Sequence, residues 1–368
     1  MRIVQILPSM RRAGAETVTA NLCQTLARLN MEIHLAVIGN RFEYQELMEI
    51  PSLQIHLLNL YHGPVRFYRW DIHRRIQREL TRFFHTLKPD IAHFHLSGAL
   101  IWGGKAAFRA GANCFYTAHG LDPDLFPDNW RASYRRWLLL RALRDSQAKV
   151  LAVSSAVADH CTRGMPGQQI TLQPNPLSLE QMAPPPTALW PRRIMMMGTL
   201  YPLKRVSVGL AAFLELSKTD PCEMWVVGDG PEKERLMTYA HQQGIGEHVT
   251  FLGERRDPLS LLRQVGMVWL LSEREGLPMV ALEAMAAGVP LIATDAPGIR
   301  ELVQHETNGL LVPLDRAANV ANATRRVWTD PDLRHRIVTG GITTSQRFDP
   351  TLIAQHHLTH YRQGLTQS

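Results

Sequence analysis

A chain of 368 residues exceeds what one hydrophobic core usually serves and predicts two domains of about 170 to 190 residues each. An apolar fraction of 45% with 20% charged residues excludes disorder, and no apolar run approaches the roughly 18 residues of a membrane span. Cys23, Cys114, Cys161 and Cys222 are too few and too scattered for a disulfide framework, so a reducing cytosol fits best. The net charge of +7 lies wholly in the first half, with 21 Lys and Arg against 14 Asp and Glu up to residue 180 and 19 against 19 beyond it. One domain is therefore expected to face an anionic partner: a membrane surface, a phosphorylated acceptor or a nucleic acid.

In chain order, Arg2 to Leu7, Glu32 to Ile38, Asp90 to Leu96, Cys114 to Ala118 and Lys149 to Ser154 read as strands, most of them separated by helical patterns. The apolar stretch Ile3 to Leu7, with Arg11 and Arg12 after it, is too short for a signal peptide and reads as a first buried strand. Residues 66 to 87 predict a helix with Ile72, Ile76, Leu80, Phe83 and Leu87 inward and Arg74, Arg75, Arg78 and Arg82 outward. That stripe, of one sign and without interleaved acids, is expected to favour an anionic membrane surface. Trp130, Tyr134 and Trp137, set among Arg131, Arg135, Arg136 and Arg141, read as partial core.

Six prolines between Pro174 and Pro191 predict a linker over residues 176 to 191, separating a domain of 1 to 175 from one of 192 to 347. In the second, Arg193 to Met197, Glu223 to Gly228, His248 to Leu252, Met267 to Leu271, Pro290 to Ala293 and Gly309 to Val312 read as strands. A last helix, about Pro350 to Arg362 within residues 348 to 368, is available to pack back on the first domain. Strands alternating with helices imply two Rossmann-like, doubly wound parallel sheets of the α/β class.

Ser272 to Pro290 follows a strand and opens a helix, with Pro278 in the first turn, where its missing amide costs nothing. Amides at such a helix start, together with the helix dipole, suit a diphosphate. Glu275 precedes the helix and Glu283 lies within it, and the rise from Pro278 to Glu283 is roughly 7 to 8 Å, near the spacing of a sugar and a ribose joined by a diphosphate. Taken singly, these glutamates would read as residues of an ordinary amphipathic helix.

The whole run, through Glu275, Gly276, Pro278, Glu283, Ala284, Met285, Gly288 and Pro290, resembles the E-x7-E signature of the retaining family 4 glycosyltransferases of the GT-B fold. The resemblance implies two domains facing across a cleft, a donor-sugar contact for Glu275 and a ribose contact for Glu283. It also implies that amides around Gly276, Leu277, Met279 and Val280 hold sugar and phosphate. It further implies a basic pair after the first strand of the second domain, to neutralise the departing nucleoside diphosphate. Lys204 matches the lysine of that pair, Thr199 stands where an arginine is usual, and Arg205 is a candidate for the second charge.

Gly228-Asp229-Gly230-Pro231 resembles the family's G-[DE]-G-P turn, although alone it reads as a tight turn into a helix. Ala13-Gly14-Ala15-Glu16 resembles its G-G-x-E loop, with Gly14 allowing close backbone approach; a plain helix start with Glu16 in the first turn is an equal reading. His119 matches a histidine beside the donor sugar, and His93 and His95 resemble a segment near the acceptor. Asp122-Pro123-Asp124 reads as a turn, and His356, His357 and His360 lack the partners of a zinc site, so no metal and no cofactor are expected.

The function implied is retaining transfer from a UDP- or GDP-sugar to a glycan or lipid-linked acceptor in bacterial surface polysaccharide or lipopolysaccharide synthesis, at the inner membrane face. Alternatives are an epimerase or phosphorylase on the same fold, or a non-catalytic nucleic-acid-binding or scaffold protein, although no RNA-binding signature of a known type is present.

Overall fold

The computed structural model describes residues 1–63, 70–177, 191–255, 257–314 and 316–366. The predicted proline-rich linker, residues 176 to 191, falls mostly outside them. The chain forms two compact units, Met1–Pro176 with Pro350–Ser368, and Leu177–Asp349.

In the first unit the elements run β1 (Arg2–Leu7), α1 (Gly14–Arg28), β2 (Glu32–Val37), β3 (Leu53–Leu57), α2 (Trp70–Leu87), β4 (Ile91–His95), α3 (Ser97–Arg109), β5 (Asn113–Ala118), α4 (Trp130–Ser146), β6 (Lys149–Ala152), α5 (Ser155–Gly164) and β7 (Ile170–Leu172). Every strand pair is parallel, in the order β3-β2-β1-β4-β5-β6-β7. The central strands are buried on both faces, which is why they read as continuous apolar runs. β3 and β7 are the sheet edges, half-exposed and partly polar, and sequence patterning did not reveal them.

The second unit runs β8 (Arg193–Met197), α6 (Val206–Ser217), β9 (Glu223–Val227), α7 (Lys233–Gln242), β10 (Val249–Gly253), α8 (Pro258–Leu262), β11 (Met267–Leu270), α9 (Met279–Ala286), β12 (Leu291–Thr294), β13 (Leu310–Val312), α10 (Ala317–Thr329) and α11 (Pro331–Gln346). Its sheet is also parallel, in the order β10-β9-β8-β11-β12-β13. Both sheets are doubly wound, and each reverses its strand order beside its first strand, at β1/β4 and at β8/β11. The last helix, α12 (Pro350–Thr366), belongs to the first unit, where Ala354, Leu358 and Tyr361 enter the core beside α1.

Several local expectations are corrected. Leu96 lies beyond β4 with φ of +66°, and Ser154 lies beyond β6, capping α5 through its Oγ, which accepts from Val157 N at 3.3 Å. In α2 the buried residues are Ile76, Leu80 and Phe84, which keeps a four-residue step; Phe83 is half-buried against the His56 ring. The arginine stripe does contain an acid, because Glu79 pairs with Arg82 at 2.9 Å. Trp130 and Trp137 are not core: they are 74% and 50% exposed, since α4 packs inward through Ala132, Leu139, Ala142, Leu143 and Ser146.

Candidate active site

Lys204 and Glu275 are 71 residues apart in sequence, yet Lys204 Nζ donates to Glu275 Oε1 at 2.6 Å. The topology explains the meeting. β8 and β11 are neighbours at the switch point, Lys204 ends a 3-10 turn (Pro202–Lys204) after β8, and Glu275 lies in the loop after β11. Residues beyond strand carboxyl ends at such a point are where open parallel sheets take their ligands.

Glu275 is held by two further bonds of its own and, through Ser272, by a third. Its Oε1 accepts from Ser272 Oγ at 2.6 Å, its amide donates to the Pro297 carbonyl at 3.1 Å, and Thr294 Oγ1 donates to the Ser272 carbonyl at 2.5 Å. Ser272 and Thr294 are buried. Gly298 has φ of +77°, and a Cβ there would stand 2.1 Å from the Glu275 carbonyl oxygen. Gly298→Ala is therefore expected to lower stability by roughly 2 kcal/mol or more, read by thermal melting. Activity should fall with it, because the Glu275 loop must move.

Arg205 takes a left-handed conformation with φ of +52°, and its Nε donates to Glu273 Oε1 at 2.8 Å. Lys204–Glu275 and Arg205–Glu273 thus form two ion pairs beyond β8 and β11, with the exposed Arg274 between the two glutamates in sequence. Thr199 is exposed in the turn after β8, and the alkyl stem of Lys204 passes 3.6 Å from where a Gly198 Cβ would sit. Gly228 packs its backbone on this turn: with φ of +126°, its Cβ would fall 2.1 Å from the Gly198 carbonyl oxygen, so glycine is required by packing alone.

Helix α9 begins at Met279, with Pro278 as its N-cap rather than inside the first turn. Gly276, Leu277, Met279 and Val280 line this start, half-buried, and the amides of Ala281 and Leu282 donate to the Pro278 carbonyl at 3.0 and 3.3 Å. Glu283, two residues past Ala281, is half-buried, and burial raises its carboxyl to about 7. It carries its proton far more readily than a surface glutamate does.

In the first unit, Gly14 opens α1, with nothing within 4 Å of a Cβ built there, and Glu16 is buried in the first turn, which raises its carboxyl. His119 follows β5; burial lowers its imidazole to about 3, and its Nε2 lies 2.9 Å from His95 Nδ1. Arg74, Arg75 and Arg78 are exposed on α2, with no acidic partner among the described residues. Asp122 caps Asp124 N at 2.9 Å, and Asp124 pairs with Arg135. His357 is buried against the Ile353 carbonyl.

Sequence reasoning missed Ser272, Thr294 and Gly298. The signal available was the Pro297-Gly298 turn following a strand, whose neighbour in the sheet is known only from the topology.

Two parallel doubly wound sheets with polar groups gathered beyond their carboxyl ends define an α/β protein of the GT-B class. HepE of Anabaena, solved in complex with UDP and glucose, has the same fold, with a TM-score of 0.83 at 20% identity over 98% of this chain and 99% of that one. The family model Glycosyltransferase Family 4 matches residues 12–181 and Glycosyl transferases group 1 matches residues 180–343. The chain thus carries two glycosyltransferase domains in succession, which together span residues 12–343.

It is 35% identical over 134 residues to N-acetyl-alpha-D-glucosaminyl L-malate synthase of Bacillus anthracis, covering 36% of this chain and 35% of that protein. It is 32% identical over 145 residues to the lipopolysaccharide core biosynthesis glycosyltransferase LpsD of Rhizobium meliloti, covering 39% and 42%. The chain thus spans less than half the length of these curated relatives.

Proposed function

We propose that the protein transfers a sugar from a nucleotide-sugar donor, a UDP- or GDP-sugar, to a glycan or lipid-linked acceptor, retaining the anomeric configuration and using no metal. The observation that carries this reading is the Lys204–Glu275 pair at the switch point, beside the amides that open α9. In the reaction, the bond from the anomeric carbon to the donor phosphate breaks and its electron pair leaves with the diphosphate. Lys204 and the α9 amides are placed to stabilise that charge, in a setting where fixed donors act more strongly than water does. Glu275 orients the donor sugar, Glu283 accepts from ribose hydroxyls, Gly14 and Gly228 allow backbone approach, and Arg205 supplies a second cation if it exchanges Glu273 for phosphate. His119 contacts the donor sugar.

UDP and UDP-glucose bound to HepE support a uridine donor, and the name of LpsD supports a place in lipopolysaccharide synthesis. Incubation with labelled UDP-, GDP- and ADP-sugars and a lipid-linked acceptor tests the reading. Transfer with an anomeric proton coupling unchanged from the donor is the expected result; an inverted product, or an epimer formed without acceptor, contradicts it.

Among the described residues no helix is long and apolar enough to cross a membrane. The acceptor side is proposed to meet anionic lipid through the first unit. There Arg74, Arg75 and Arg78 are exposed on α2, whose Gln77 and Thr81 line a groove with Lys105, Arg109, Trp137 and Arg141, and the Arg141 guanidinium lies 5.3 Å from the Trp137 ring. At about 1 kcal/mol per residue, Arg74→Gln with Arg78→Gln is expected to weaken binding to anionic vesicles about thirtyfold in a flotation assay, with no change on zwitterionic ones.

A further inference from the structure

Across the first sheet, β1, β4 and β5 place Gln5, His93, His95 and Thr117 side by side on the face covered by α1 and α12, where apolar residues would be expected. All four are buried. They form one hydrogen-bonded chain with Tyr361 of α12 and with His119. Gln5 Nε2 donates to the Tyr361 hydroxyl at 3.1 Å, and that hydroxyl lies 2.6 Å from His93 Nδ1. His93 Nε2 lies 2.7 Å from Thr117 Oγ1. In the other direction, Gln5 Oε1 lies 2.7 Å from His95 Nε2, and His95 Nδ1 lies 2.9 Å from His119 Nε2.

The direction of every bond follows from Gln5. An amide oxygen only accepts, so His95 Nε2 carries a proton and donates. Burial holds His95 and His119 neutral, so each ring has one proton, and His95 Nδ1 is a bare lone pair. His119 Nε2 must then donate to it, which leaves Nδ1 of His119 as an acceptor. That nitrogen is buried and has no partner among the described residues. Buried acceptors without a donor are rare, so this one calls for a donor from outside the chain. With the amide nitrogen toward Tyr361, the hydroxyl accepts from Gln5 and donates onward to His93 Nδ1, so Tyr361 completes the chain in this orientation. A reversed amide would invert the whole chain and turn Nδ1 of His119 into a donor.

We infer that Tyr361, Gln5 and His95 are positioning residues that fix the tautomer of His119, so that its Nδ1 accepts a hydrogen bond from a hydroxyl of the sugar substrate. The inference rests on the proposed contact of His119 with the donor sugar. It gives α12, the far end of the chain, a part in sugar recognition.

The test uses the full chain with 15N-labelled histidine and reads tautomers from 15N chemical shifts and two-bond couplings. Wild type is expected to show His119 unprotonated at Nδ1, and Tyr361→Phe a mixture of the two tautomers. Deoxy analogues of the donor supply the kinetic arm. In wild type one analogue is expected to lose about tenfold in kcat/KM. Tyr361→Phe should lose about the same with the parent donor and nothing further with that analogue, whereas a merely structural role would lower every donor equally. A proton on Nδ1 in wild type overturns the inference even if the variant cannot be made to fold, as does an equal deoxy penalty in both enzymes. An unprotonated Nδ1 whose shift no nucleotide sugar perturbs contradicts instead the donor contact on which the inference rests.

Discussion

Lys204→Ala is expected to lower kcat about 10²- to 10³-fold while changing KM much less, because the ammonium acts on charge that develops only as the diphosphate departs. The structure supports a localised effect. Lys204 is half-buried, its one described ion pair is with Glu275, and its turn keeps its shape through backbone bonds such as Lys204 N to the Tyr201 carbonyl at 2.9 Å. Melting should therefore shift little. Lys204→Arg retains the charge but presents a planar fork where a compact ammonium fits between Glu275 and Gly198, so partial rescue is expected. Glu275→Gln should also be slow, and the double variant less slow than the product of the single effects, since both members act on one substrate. Steady-state kinetics on the four enzymes checks this.

Glu283 sets the second expectation, a pH dependence of donor affinity. Its carboxyl is raised to about 7 by burial, so the folded chain holds this proton more tightly than the unfolded chain does. The sign for stability follows: the folded state gains from protonated Glu283 at low pH, and that gain is lost as pH rises from the ordinary carboxylate range through about 7, by an amount on the order of 3 kcal/mol. Donor binding runs the other way. An ionised Glu283 accepts two hydroxyls where a protonated one gives up a lone pair, so affinity should rise with pH through about 7 and level above it, approaching tenfold per unit on the acid side. Glu283→Gln should flatten the profile and weaken binding at high pH. It should also be more stable than wild type above pH 7, since it removes a buried charge. Affinities measured by fluorescence or calorimetry from about pH 5.5 to 8.5 decide it.

The fold was legible in the sequence wherever burial is two-sided. Ile3 to Leu7 and Met267 to Leu270 are continuous apolar runs because helices cover both faces of their sheets, and doubly wound topology follows from the alternation. β3 and β7 escaped because an edge strand such as Leu53–Leu57 mixes Gln54 and His56 with its apolar residues and lies half in water. Trp130 and Trp137 misled because bulk is not burial: α4 packs through Leu139, Leu143 and the small residues Ala132, Ala142 and Ser146, the last against Gly104. In the candidate site, Glu275, Glu283 and Lys204 carried a local signal, a motif or a charge at a helix start. Ser272 carried none, and Thr294 and Gly298 carried at most the Pro297-Gly298 turn, since these two act on the Glu275 loop from the neighbouring strand β12 and the turn after it. The polar row of Gln5, His93, His95 and Thr117 was visible only as unexplained histidines, because its meaning depends on strand register and on Tyr361, which arrives 356 residues after Gln5.

The account's central claim is that the α9 start, with Lys204 and Glu283, holds the diphosphate and ribose of a sugar nucleotide. Isothermal titration calorimetry of the full chain against UDP-, GDP- and ADP-sugars tests it most directly. One base is expected to give saturable one-to-one heat that Glu283→Ala weakens at least tenfold. The absence of heat with every sugar nucleotide, or binding that Glu283→Ala and Lys204→Ala leave unchanged, would contradict it.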